Sequence, residues 1–200
     1  MYDLAIVIVN YNVRDLLRLC LRSVLASKGE FTFQCCVVDN ASSDQSAEMV
    51  RDEFSQVRLI ANDENVGYPA ANNQGLRLLS VEGKSEEDRP RYCLLLNPDT
   101  EVPADGLAKM LLYLDSHEDI GVIGPKLVLP DGNLDLACRR SFPTPEVSSY
   151  RMLGLSRLFP RSRRFGRYNM TYLDEDEQAD VDSVVGAFMM VRTAALNGVG

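Results

Sequence analysis

Apolar and polar positions alternate along this chain in blocks. Residues 4–9 form an unbroken apolar run rich in β-branched side chains, as a strand buried on both faces requires. From 16 to 25 the apolar residues recur at helical spacing and place Leu17, Cys20, Leu21, Val24 and Leu25 on one face. Residues 35–38 are a second compact apolar run, after which Ser43 and Asp44 offer N-caps for a helix reaching about Phe54. The rhythm continues with a strand over 57–61, a helix over 69–81 and a charged loop over 83–91. A strand over 92–96, a helix over 103–116 with Pro103 in its first turn, and a strand over 120–123 complete it.

Strands alternating with helices imply right-handed crossovers, and hence an α/β fold with a mainly parallel sheet flanked by helices. After Gly124 the rhythm changes. Residues 126–129 and 134–139, separated by Pro130-Asp131-Gly132-Asn133, predict a β-hairpin. Residues 141–170 are rich in Pro, Ser and Arg without a clean period, which predicts a long loop with one short helix. An acidic stretch follows over 174–182, and 184–191 predicts a last buried strand broken by Gly186. With no internal repeat, the chain reads as one domain: a βα core over 1–124, then hairpin, long loop and last strand over 125–200.

Composition narrows the function. Two hundred residues suffice for one domain burying roughly 70% of its unfolded surface. The net charge of −8 argues against nucleic acid as a partner, yet leaves a small anionic ligand open, because oriented backbone N–H groups can hold a phosphate in an acidic protein. Five cysteines (Cys20, Cys35, Cys36, Cys93 and Cys138) lie mostly in apolar runs with no CxxC pair and no zinc spacing, which fits reduced thiols. Asp3 and Asn10-Tyr11-Asn12 interrupt the N-terminal apolar run, which therefore does not read as a signal peptide, and no segment approaches the ~20 apolar residues of a membrane span. The expected location is the cytoplasm, with peripheral contact at a membrane face left open.

The polar residues of the first half collect where strands end. The first strand runs into Asn10-Tyr11-Asn12, the second into Asp39-Asn40-Ala41-Ser42-Ser43-Asp44, the third into Asn62-Asp63-Glu64-Asn65-Val66-Gly67, and the fourth into Asn97-Pro98-Asp99-Thr100. Any one such cluster is explained by capping and turn chemistry. Four in succession, two with carboxylates directly behind apolar strands, point to a ligand crevice at the carboxyl ends of an open sheet.

These segments, with Val66-Gly67-Tyr68-Pro69-Ala70-Ala71-Asn72-Asn73-Gln74-Gly75, Gly124-Pro125-Lys126 and 185–192, stand in the order and spacing of family 2 glycosyltransferases. The chain resembles their rhamnosyltransferase-like branch over nearly its whole length. The resemblance implies a GT-A, Rossmann-like nucleotide-binding fold and transfer of a sugar from a nucleoside-diphosphate donor, of dTDP-rhamnose or UDP-sugar type. The acceptor would be a saccharide or lipid-linked saccharide, in cell-surface polysaccharide synthesis, and the displacement an inverting one. Carried over residue by residue, Asn10, Tyr11 and Asn12 would border the nucleotide, with Tyr11 against the base. Asp39 would accept the N3–H of uracil or thymine. Asn65, Gly67 and Asn72 would line the ribose and diphosphate side, where small residues let the backbone come close. Asn97-Pro98-Asp99 stands where the family has a DxD-type motif, with Asn97 in place of the first Asp, and Asp99 would ligate Mg²⁺ or Mn²⁺ shared with the diphosphate. The family's catalytic base lies in an Asp/Glu pair downstream of the Gly-Ala-Phe strand, and no residue here matches it, so the chain reads as the donor half.

Two other readings are open. A non-catalytic nucleotide-sugar module fits the missing base. A sugar nucleotidyltransferase fits less well, since Asn10-Tyr11-Asn12-Val13-Arg14 stands where that class carries a Gly-rich loop. A dehydrogenase would need a GxGxxG after the first strand, which is absent. Arg157, Arg161, Arg163, Arg164 and Arg167, interleaved with Leu158, Phe159 and Phe165, either meet anionic lipid or a lipid-diphosphate acceptor, or form a solvated loop paired with the acidic run over 174–177. The second is the simpler expectation. His117, the only histidine, is expected to serve a helix C-terminus.

Overall fold

Buried apolar runs set the sheet. In the computed structural model, which describes residues 2–79 and 89–199, every residue of β1 (Leu4–Asn10) is buried. It pairs in parallel with β2 (Phe33–Asp39) on one side and β4 (Tyr92–Leu96) on the other, and β2 carries β3 (Arg58–Ala61) in parallel beyond it. The six-stranded order is β3-β2-β1-β4-β8-β5, where β5 is Val122–Ile123 and β8 (Phe188–Arg192) runs antiparallel to both its neighbours. The chain thus builds outward from β1 through β2 and β3, then returns to the other side of β1 for β4. Connections leave the carboxyl ends of β1 and β4 in opposite directions, and this switch point opens a crevice.

Helices cover the sheet as their periodicity predicts. α1 (Arg14–Leu25) buries Leu17, Cys20, Leu21 and Val24, and α2 (Ser46–Glu53) buries Ala47, Met49 and Val50. Arg18 joins them, its Nε lying 2.9 and 3.0 Å from the two Glu53 oxygens. α3 (Tyr68–Leu78) packs against β1 and β2, and Gly75 lets it approach closely. A Cβ at Gly75 would sit 2.5 Å from Val7 Cγ1. The expected helix end at 80–81 and most of the charged loop over 83–91 lie outside the described residues.

α4 (Gly106–Ser116) starts three residues later than its apolar period suggests. Pro103 sits before the helix, not in its first turn: its carbonyl accepts from Gly106 N, while the Ala104 carbonyl accepts from Lys28 N. His117 caps the C-terminus of α4, stacked on Tyr113 with ring centroids 4.2 Å apart. Its carbonyl and that of Leu114 accept from Arg192 Nη2.

Two compact units result: Met1–Ile123 with Gly186–Gly200, and Gly124–Val185. The second begins with a turn at 130–133 in which Leu129 N donates to Asn133 O and Gly132 takes φ +84°. The expected hairpin is reduced there to an isolated bridge, Val128 with Leu134, because Asp135 Oδ1 accepts from Ala137 N and winds 136–138 into a 3-10 turn. β6 (Arg139–Arg140) pairs instead with β7 (Ser183–Val184), so the strand expected over 184–191 is two strands interrupted at Gly186. The expected loop over 141–170 holds two helices, α5 (Pro145–Met152) and α6 (Leu155–Leu158), not one. Thr144 and Pro145 are the cap-then-proline start of α5, with Thr144 Oγ1 accepting from Val147 N. α7 (Thr193–Val199) follows β8 in the first unit.

Candidate functional site

The carboxyl ends of β1 and β2 lie side by side because Asn10 and Asp39 are register partners. Their side chains leave the sheet together, and Asn10 Nδ2 donates to Asp39 Oδ1 at 2.8 Å. Ser42 closes the group: its hydroxyl donates to the same oxygen at 2.7 Å, and its N–H to Oδ2 at 3.0 Å. Asp39 is 2% exposed and acts as an internal clamp on the turn after β2.

That turn and the one after β1 hold three non-glycine residues in left-handed backbone, Asn12 (φ 55°), Ala41 (φ 64°) and Gln45 (φ 65°). Such conformations persist where surrounding contacts enforce them. Here Asn12 Oδ1 accepts from Ser43 N at 2.7 Å, and Asp44 Oδ2 accepts from Arg14 N at 2.8 Å. Burial works to raise the Asp44 carboxyl, but the Ser46 hydroxyl and the N–H groups of Arg14 and Ser46 outweigh it and hold its pKa below the ordinary carboxylate value. Neither Ser43 nor Asp44 is the N-cap expected of them: Gln45 takes that position without a side-chain cap, and Asp44, one residue earlier, accepts from Ser46 N.

A ladder of amides ties the second strand end to the third. Asn40, buried, donates from Nδ2 to Asn65 Oδ1 at 2.9 Å and accepts at Oδ1 from Asn62 Nδ2 and Val66 N. Asn65 Oδ1 also accepts from Gly67 N, which fixes Gly67 at φ +84° ahead of α3. At the fourth strand end, Asn97 N donates to Ala187 O, and Thr100 N closes the Asn97-Pro98-Asp99 turn onto Asn97 O.

These ends surround a cleft of about 330 Å³ lined by Val9, Tyr11, Val13, Asn40, Asn65, Tyr68, Asn97, Pro98 and Asp99. Of the residues expected at a site, Tyr11, Asn65, Asn97 and Asp99 meet there. Tyr11 is 52% exposed and presents a free ring, and Asp99 is exposed. Asn10 and Asp39 are not in the wall. Neither is Gly67, nor Asn72, whose Nδ2 is turned back onto Tyr68 O within α3. Asn12 borders an adjoining cleft of about 580 Å³ with Val13, Arg14, Asp15, Leu16, Ser43, Asp44 and Gln45.

Sequence reasoning passed over Asn40 and Tyr68. Asn40 directly follows Asp39 in a polar cluster, which was the available signal. Tyr68 Oη donates to Gly186 O at 3.2 Å, a partner 118 positions away that no local pattern reveals.

No three His, Cys, Asp or Glu side chains gather into a metal cage among the described residues. Asp99 offers one exposed hard-oxygen ligand beside the amide of Asn97. That donor set fits a cation shared with phosphate oxygens, since Mg²⁺ commonly takes one or two carboxylates plus phosphates, and does not fit one held by protein alone. The cysteines take no part. Burial pushes Cys20 up to about 12, with the charges of Asp99 and Glu101 adding to it, and burial does the same to Cys36 and Cys93.

An open, mainly parallel sheet with its cleft at the switch point defines a class of α/β proteins that hold their ligands at the carboxyl ends of the strands. Residues 5–197 match Glycosyl transferase family 2, and the chain belongs to that family. It is 24% identical over 167 residues to the N-acetylglucosaminyl-diphospho-decaprenol L-rhamnosyltransferase of Mycobacterium tuberculosis H37Rv, covering 82% of this chain and 53% of that protein. The chain therefore spans about half the length of the curated relative it matches. Among solved structures, S. aureus TarS 1–349 aligns over 98% of this chain and 48% of its own, with TM-score 0.59 and 16% identity. Its complex with UDP-GlcNAc aligns at TM-score 0.52. The mannosyltransferase PcManGT of Pyrobaculum calidifontis, solved with GDP-Man and Mn²⁺, aligns over 66% of this chain and 39% of its own, with TM-score 0.51 and 19% identity. These likenesses fix the GT-A fold.

Proposed function

We propose that this chain holds a nucleoside-diphosphate sugar in the 330 Å³ cleft, and that the protein containing it transfers the sugar to a saccharide or lipid-linked acceptor in polysaccharide synthesis. The observation that carries the reading is the convergence of Tyr11, Asn65 and Asp99 at the switch-point cleft of a family 2 chain. The base stacks on Tyr11 between Val9 and Val13. Asp39 shapes the base site from behind the wall, where it fixes Asn10 and the Ser42 turn. Asn40 and Asn65 set the position of Gly67, whose missing side chain leaves room for the diphosphate, with Asn72 steadying the α3 start behind it. The diphosphate points to Asn97 and Asp99. Asp99 is the residue that would hold a divalent cation there, and such an ion would supply charge neutralisation for the leaving diphosphate. The named relative's lipid-diphosphate acceptor supports a lipid-linked acceptor here too.

Calorimetric titration of the chain with UDP, dTDP and GDP, with Mn²⁺ or with EDTA, tests this. Uracil and thymine nucleotides bind in preference to GDP. EDTA and Asp99→Ala weaken binding, and Tyr11→Ala weakens it by the ~1–3 kcal/mol typical of one base–aromatic stack. Absence of binding by a folded sample, or binding indifferent to both substitutions, would overturn the reading.

A further inference from the structure

We propose that residues 145–167, in the Gly124–Val185 unit, form a docking surface for an anionic lipid bilayer. Residues 151–167 carry six arginines (Arg151, Arg157, Arg161, Arg163, Arg164 and Arg167) and no acidic residue, in a chain whose net charge is −8. The same stretch holds Met152 87% exposed, Leu153 73% and Leu158 69%, with Phe159 exposed beside them. Scattered apolar side chains on a surface need no explanation, but four within eight residues, set among arginines, do. Interfacial elements combine these two features: cations meet headgroup phosphates while neighbouring apolar groups enter the acyl boundary. Arginine suits that position because its aliphatic stem lies along apolar surface while the guanidinium stays at the headgroups.

The segment is folded. Phe165 meets Tyr150 edge-on, with centroids 5.0 Å apart, and Phe159 at 5.6 Å. Thr171 Oγ1 donates to Pro160 O, and Arg164 donates to Tyr150 Oη at 2.7 Å. Arg164, paired also with Glu146 at 3.5 Å, and Arg151, which lies over the Tyr168 ring at 4.7 Å, are anchored to this packing, while Arg157, Arg161 and Arg163 are exposed along the same stretch. The acidic run at 174–177 does not neutralise that surface, contrary to the simpler expectation from sequence. Its Glu175 and Asp176 are engaged by Lys126 at 3.2 and 2.7 Å, and Arg139 takes the Leu173 and Asp174 carbonyls. Arg157, Arg161 and Arg163 form no ion pair among the described residues. A nucleic acid would use the cations but gain nothing from the protruding aliphatic side chains. An anionic bilayer uses both. Vesicle binding and nucleotide binding are measured separately, and either can fail without the other.

The test is flotation of the full chain with vesicles of phosphatidylcholine alone or with phosphatidylglycerol added. Binding is expected only with the anionic lipid and is lost near 1 M salt, where charges are screened beyond about 3 Å. Each basic residue near such a surface is worth roughly fivefold in partitioning, so Arg157→Gln/Arg161→Gln/Arg163→Gln lowers it on the order of 100-fold. Met152→Ser/Leu153→Ser weakens it at unchanged charge. All five positions are exposed, and circular dichroism checks that the variants fold. Equal binding to neutral and anionic vesicles, no binding to either, or variants that float like the parent would overturn the proposal. So would retention by soluble heparin or duplex DNA without vesicle binding, which would mark a polyanion patch instead.

Discussion

Gly75→Ala tests how tightly α3 is seated beneath the cleft. Gly75 lies in ordinary helical backbone, so alanine adds no backbone strain and by propensity alone would stabilise α3 by up to about 1 kcal/mol. Sterics oppose this. The new methyl would sit 2.5 Å from Val7 Cγ1, 3.1 Å from Val7 Cγ2 and 3.3 Å from Val38 Cγ2. Val7 is fully buried in β1, and rotating it exchanges one γ-methyl for the other, so the helix must lift by about 1 Å to restore ordinary carbon–carbon spacing near 3.5 Å. Overpacking of this kind typically costs about 1–3 kcal/mol. A 2.5 Å clash with a fully buried strand residue puts the cost at the upper end of that range, so after the helical gain a net loss of about 2 kcal/mol is expected, a fall of roughly 2–4 °C in Tm per kcal/mol for a chain of this size. Urea unfolding measures it. In a Val7→Ala background the same substitution should cost nothing or stabilise. Because Tyr68 at the head of α3 lines the cleft, nucleotide affinity should fall with the lifted helix and recover in the double variant. Wild-type stability of Gly75→Ala, or a cost unrelieved by Val7→Ala, would refute the packing argument.

Other expectations follow from single contacts. Asp39→Asn should lose about 1–3 kcal/mol in urea unfolding, because whichever way the amides of residues 10 and 39 turn, one buried NH₂ faces no acceptor. Asp3 is held below the ordinary carboxylate value first by the N–H of Thr32, against a smaller effect of burial, and then by the Thr32 hydroxyl and Arg91. A depressed folded pKa means stability that is present above the unfolded value of ~3.9 and lost as pH falls through the folded one. Acid titration of unfolding should therefore steepen below about pH 4, and less so in Asp3→Asn. Cys20, Cys36 and Cys93, pushed up to about 12, should resist alkylation at pH 8 in the native chain and react once it unfolds in urea.

Much of the fold was legible because period and burial agree. The β1 run and the Leu17, Cys20, Leu21, Val24 face gave strand and helix directly. Pro103 misled because a proline that suits a first turn also suits the turn before it, and the Lys28 contact that decides between them comes from a distant loop. The stretch over 184–191 misled because one apolar run serves two sheets, which only non-local pairing reveals. At the site, strand-end polarity located the cleft but could not tell wall from foundation. Tyr11 and Asp99 face it, while Asp39 and Asn72 satisfy their hydrogen bonds inside the fold. The missing neutralisation of the arginines was equally hidden, since Lys126 reaches the acidic run from almost 50 residues away.

A crystal structure of this chain with UDP or dTDP and Mn²⁺ tests the central claim most directly. The account predicts the base on Tyr11, and the diphosphate and ion at Asp99. A nucleotide seated instead in the adjoining cleft around Asn12 and Gln45, or a diphosphate remote from Asp99, would contradict it.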